Sequence, residues 1–162
     1  MILQRFQALE DKASRIFGKN AAEVEKQLVP LNWGDLVVKV HMLALPYFQR
    51  AFIYTQTAAY TVHRMEAFCW RLQRGSLIKL SMHSWAFAAD INPEQNPMGK
   101  PGGKLVTDMN PLFIKGFKEA GFDWGGDFRR PDAMHFQLRP EFWGVPITPL
   151  GIGEKPNAAG PN

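Results

Sequence analysis

Apolar residues recur at helical spacing over residues 2–17, where Ile2, Leu3, Phe6, Leu9, Ala13, Ile16 and Phe17 alternate with charged positions. Gly18 supplies a stop, and Asn20 is placed to cap a second short helix carrying Glu23, Val24 and Leu28. Pro30 to Asp35 breaks the pattern. Leu36–Met42 is rich in β-branched residues and predicts a strand, and Pro46 opens a helix through Tyr47, Phe48, Ala51, Phe52 and Tyr54-Thr55. Met65–Leu72 is a second strand, closed by Gly75-Ser76. Residues 92–111 are rich in Pro, Gly and Asn and predict a long irregular loop, of a length often used for binding. A helix over 111–120 carries Leu112, Phe113, Phe117 and Ala120 and stops at Gly121. Met134–Leu138 is the last strand.

Few short strands among unlike helices predict an α+β fold, a single domain with a small, mostly antiparallel sheet flanked by helices. The expected divisions are a helical lead-in over 1–30, the main domain over 31–143 and a Pro/Gly-rich tail over 144–162. A chain of 162 residues is long enough for a real core, and 46% hydrophobic with 21% charged residues is ordinary for a globular protein.

The net charge of +4 suits an anionic polymer as partner. The Lys and Arg residues are scattered, so nucleic acid is not expected. The N-terminal residues lack the uninterrupted apolar stretch of a signal peptide, and no run is long enough to span a membrane. The first helix mixes acidic and basic residues on its polar face, which favours packing over a membrane surface. The expectation is a chain made in the cytoplasm without membrane insertion. Cys69 is the one cysteine, excluding an internal disulfide and a cysteine-based metal site. Its neighbours Phe68, Trp70 and Leu72 predict a small buried residue.

Any metal must therefore be held by His and carboxylate groups. Of the four histidines, His41 lies in an apolar run and reads as a buried core residue, while His63 lies in a polar segment and reads as exposed. That leaves His83 and His135. With Asp90 they make three N/O ligands, and Asp132 is the base for a water in the fourth position of a zinc ion. His83 and Asp90 are seven apart, which on one straight strand sends them to opposite faces. Either the backbone between them bends, for which Ala86, Ala88 and Ala89 leave room, or both lie on one helix. Asp132 belongs to the turn entering the last strand, with His135 on that strand. Ser81, two residues before His83, is placed to orient substrate or ligand. Arg71, in an apolar stretch, needs an anionic partner, either a structural ion pair or a substrate carboxylate or developing oxyanion.

These residues resemble the zinc D-alanyl-D-alanine carboxypeptidase and L-alanyl-D-glutamate endopeptidase superfamily, in its phage endolysin-like branch. Ser81, His83, Ala88 and Asp90 match the motif Ser-x-His-x-x-Gly-x-Ala-x-Asp, and Ile91-Asn92-Pro93 with Asn96-Pro97 look like its continuation. Trp124-Gly125-Gly126-Asp127 before Asp132, Met134, His135 and Phe136 matches the second motif, and Phe68–Arg71 looks like the arginine-bearing strand. Ala86 stands where the motif has glycine. The resemblance implies a D-Ala-D-Ala carboxypeptidase/Hedgehog-like fold with zinc on the sheet, held by His83, Asp90 and His135. It further implies Asp132 as catalytic base and Arg71 at the substrate. The expected activity is cleavage of peptidoglycan stem peptides by a monomeric L-alanyl-D-glutamate endopeptidase, an endolysin released across the membrane to act on the cell wall. A D,D-carboxypeptidase would share the same four residues. A non-catalytic, zinc-stabilised wall-binding module is the reading of another class.

Overall fold

The structure, a computed structural model, describes residues 2–148; the expected tail falls outside them from residue 149 onward. In chain order the elements are α1 (Ile2–Phe17), α2 (Ala21–Glu25), β1 (Leu28–Trp33), β2 (Leu36–His41), α3 (Leu45–Thr55), β3 (Met65–Glu66), β4 (Ala88–Ile91), α4 (Pro111–Glu119), β5 (Phe122–Trp124) and β6 (His135–Leu138). β1 and β2 form a hairpin, and the remaining strands form a sheet of order β3-β4-β6-β5. Every pairing is antiparallel, so the α+β expectation holds with two small sheets in place of one.

Local chemistry accounts for most boundaries. Asn20 caps α2, its side-chain oxygen accepting from the Glu23 N–H at 3.0 Å, while Glu23 accepts in return from the Lys19 N–H. Asn110 caps α4 in the same way, with Pro111 at the first helical position. Two expectations fail. Residues 30–33 are strand, because Pro30 lies in a two-stranded hairpin where a missing N–H is tolerated; Leu28 joins this strand and not α2. The strand expected over Met65–Leu72 ends at Glu66, beyond which the chain runs beside a turn and not beside a strand.

The strand alternation divides the four-stranded sheet into two faces. Ala89, Ile91, Phe136 and Leu138 enter the hydrophobic core, where Phe136 stacks on Phe117 of α4 at 4.1 Å. Trp33 of the hairpin packs on Phe52 of α3 and stacks on Phe117, tying both sheets to one helical layer. α1 belongs to the same core: Phe17 is fully buried against His41, Phe87 and Trp143. Asp90, His135 and Gln137 take the opposite face of the sheet. No helix among the described residues is long and apolar enough to cross a membrane.

Candidate metal centre

Asp90 on β4 and His135 on β6 are direct cross-strand partners, so their side chains leave the same face side by side. His83 comes from elsewhere, a 3-10 turn over Met82–Trp85 that precedes β4. Ala86 ends this turn in the left-handed region, at φ 53 and ψ 31, donating its N–H to the His83 carbonyl and accepting from the His41 N–H. That reversal answers the spacing problem: a turn followed by a strand, neither a single helix nor a straight strand. The strain of a non-glycine residue there is about 1 kcal/mol.

Three ligand atoms meet as a result. His83 Nε2 lies 3.0 Å from Asp90 Oδ1 and 3.2 Å from His135 Nδ1, and His135 Nδ1 lies 3.0 Å from Asp90 Oδ1. His83 Nδ1 is 2.7 Å from the Ala67 carbonyl, which can only accept, so that nitrogen carries the proton and Nε2 presents a lone pair. His135 Nε2 stands 3.1 Å from Gln137 Oε1, which likewise leaves Nδ1 as the lone pair. With both rings neutral, three acceptors converge on one point. Such an arrangement is repulsive until a cation or shared protons enter it. Bonds of about 2.0–2.1 Å to a tetrahedral zinc ion set its ligands about 3.3 Å apart, close to the spacing seen, so the residues fit the ion. Where protons and not a cation fill the site, burial raises the Asp90 carboxyl, but hydrogen bonds from a protonated His135 and His83 outweigh this and hold it well below the usual carboxylate range. Burial pulls His135 down, and the Asp90 carboxylate more than reverses this, leaving its imidazole raised.

Asp132 stands in the turn before β6. Its N–H donates to the Gly125 carbonyl at 2.8 Å and its carbonyl accepts from the His135 N–H at 3.1 Å. Gly125 must be glycine, since a Cβ there would lie 2.3 Å from the Asp132 carbonyl oxygen and 3.1 Å from the His135 Cβ. The Trp124 indole donates to the Ala133 carbonyl, so this Trp-Gly pair shapes the turn that carries both residues. Asp132 is buried, and its Oδ1 has no hydrogen-bond partner. Burial raises its carboxyl above the ordinary value, partly offset by His135. An unpartnered buried carboxylate oxygen beside the triad is available to accept a hydrogen bond or a proton.

Ser81 Oγ accepts from the His83 N–H at 3.4 Å, capping the turn, and its own proton has no acceptor among the described residues. Arg71 is half-buried and makes no ion pair among the described residues; its guanidinium donates to the Leu72 carbonyl at 3.4 Å. Cys69, expected to be buried, is exposed, because Phe68, Cys69 and Arg71 line a cleft while Trp70 packs toward Trp85. His41 is the core histidine expected, donating from Nε2 to the Phe17 carbonyl and accepting at Nδ1 from the Leu43 N–H, and His63 is exposed. Sequence reasoning missed the orienting partners Ala67 and Gln137. The signal for Gln137 was its position two residues after His135 on one strand, hence on the same face. It also missed Ser84, fully buried, which accepts from the Arg71 N–H and donates to the Arg71 carbonyl.

Two lobes of a cleft, about 920 and 590 Å³, meet at the triad. Arg71, Arg74, His83, Asp90, Met98 and Met134 line both. The loop over 92–110 forms part of the wall, clasped by Gly99 N–H to the Pro131 carbonyl and by Gly102 N–H to the Arg129 carbonyl.

Residues 74–138 match the family model described as D-alanyl-D-alanine carboxypeptidase. The matched stretch is similar to that peptidase family and contains His83, Asp90, Asp132 and His135; Arg71 lies just before it. Neither the curated proteins nor the solved structures gave a match.

Proposed function

We propose that this chain is a monomeric zinc peptidase that cleaves peptidoglycan stem peptides, as an L-alanyl-D-glutamate endopeptidase of the endolysin kind. The observation that carries this reading is the convergence of three acceptor atoms from His83, Asp90 and His135 beside the unpartnered Oδ1 of Asp132, within a stretch similar to a peptidase family. Zinc, when bound there, supplies Lewis acidity toward a carbonyl oxygen and toward water. The Ala67 carbonyl and the Gln137 side chain hold the imidazoles in the tautomers that ligation requires. Asp132 takes the attacking water's proton and delivers it to the departing amine. Arg71, with no carboxylate partner among the described residues, donates to the developing oxyanion, and the Ser81 proton is offered to the substrate.

Cleft space on both sides of the triad supports an endopeptidase, since a substrate chain can continue past the scissile bond. A carboxypeptidase needs a buried cation for the terminal carboxylate, and Arg71, Arg74, Arg129 and Arg130 in this cleft are half-buried or exposed. The D,D-carboxypeptidase reading is favoured by one observation, the description of the matching family. Fragment masses from purified peptidoglycan decide between them. New L-alanine C-termini and D-glutamate N-termini are expected, and release of free D-alanine alone would establish the carboxypeptidase.

A further inference from the structure

The stretch from Ala67 to Arg71 is an edge whose main chain is half used. The Ala67 carbonyl accepts from the His83 ring at 2.7 Å, and the Cys69 N–H donates to the His83 carbonyl at 3.1 Å. The Arg71 N–H donates to Ser84 Oγ, while the Arg71 carbonyl accepts from the Ser81 N–H at 2.9 Å. Residues 67, 69 and 71 thus turn their polar groups inward, onto the turn that carries His83. In extended chain, alternate residues direct N–H and C=O to opposite sides. Phe68 and Trp70 therefore direct theirs outward. Neither main chain has a hydrogen-bond partner among the described residues.

This edge borders the larger lobe of the cleft. Ala67, Phe68 and Cys69 line it together with Val37, Val38 and Lys39 of β2. Val37 is 69% exposed, an apolar side chain with nothing yet packed on it. Unpaired strand edges recruit extended peptides by main-chain hydrogen bonding, and a lobe of about 920 Å³ has room for several residues. The Ala67 carbonyl that orients His83 belongs to the same stretch, so a peptide laid along it is in fixed register with the triad.

We infer that the substrate binds as an added β-strand, hydrogen-bonded to the outward main-chain groups of Phe68 and Trp70 and covered by Val37, while Val38 on the other face of β2 packs on the core. The inference rests on the peptidase reading and names how that site holds its substrate. Recognition here is of extended backbone, whatever the side chains, and it places one run of substrate amides in register with the triad.

The test uses zinc-loaded protein and synthetic stem peptides, each N-methylated at one amide outside the scissile bond. Both turnover and binding (by fluorescence anisotropy) are measured. N-methylation at one or two alternate positions is expected to raise KM and Kd about tenfold with kcat little changed, and methylation at the intervening positions to do nothing. Phe68→Pro, which removes one outward N–H, should raise KM similarly with zinc content and Tm retained. If it fails to fold, the methylated series still decides. Equal effects at every amide, or none at any, overturn the added strand. Binding of the parent peptide without cleavage sinks the peptidase reading and leaves the alternation to be read in Kd. Neither binding nor cleavage overturns both.

Discussion

Ala86 adopts φ 53 because the chain must reverse between the His83 turn and β4, and the reversal is held by hydrogen bonds on both sides of that residue. Glycine would take the same conformation without steric cost, though with more freedom to lose on folding. Ala86→Gly is expected to stabilise the protein by up to about 1 kcal/mol, a rise in Tm of roughly 2–4 °C. A fall in Tm would show that the buried methyl group outweighs the strain. His41 carries a pH dependence of its own. Burial lowers its pKa, the Phe17 carbonyl offsetting only part, and its Nδ1 must stay unprotonated to accept from Leu43. The unfolded chain, titrating near 6.5, binds a proton that the folded state resists. Stability therefore falls as pH drops below about 6.5 and levels off below the folded pKa, by no more than about 1.4 kcal/mol per pH unit. Urea midpoints between pH 7.5 and 5 should show this slope flattened in His41→Gln; an unchanged slope would assign it to other groups.

The loop between β4 and α4 shows what sequence conveys about an element and what it omits. Its Pro, Gly and Asn content marked it as irregular, and so it is. Its internal order was not legible. Asn92, fully buried at φ 43, accepts from the His63 and Arg64 N–H groups and donates to the Thr61 carbonyl and the Tyr60 hydroxyl. One side chain thus pins the end of β4 to the segment before β3. Asn92→Ala should cost about 2–4 kcal/mol and lower the urea midpoint; a change below about 0.5 kcal/mol would mean that water replaces these bonds. The strands were less legible than the helices. β1 was hidden by Pro30, which reads as a breaker until a hairpin edge is known, and β5 spans only Phe122–Trp124. Arg71, expected on a strand, lies outside any strand, and this stretch pairs with the turn that carries His83. The candidate metal-holding group of His83, Asp90 and His135 was legible because few histidines exist to choose from. Their orienting partners were not, because a backbone carbonyl such as Ala67 leaves no mark in a sequence.

At the scale of the whole molecule, the triad joins three separate parts of the chain: the turn before β4, β4 itself and β6. An ion bound there stabilises the folded state by mass action, about 4 kcal/mol at a thousandfold excess over Kd. Chelation should lower Tm by several degrees and zinc should restore it, with the effect lost in His83→Ala; an unchanged Tm in the wild type would argue that no ion binds. The central claim is that this centre hydrolyses peptide, with Asp132 as its proton acceptor. The most direct measurement is digestion of purified peptidoglycan by zinc-loaded wild type and Asp132→Ala, with zinc content determined for each. The account predicts fragments from the wild type, and a rate about 10²–10⁴ lower in the variant with zinc retained. Equal cleavage by both, or none from zinc-loaded wild type, would contradict it.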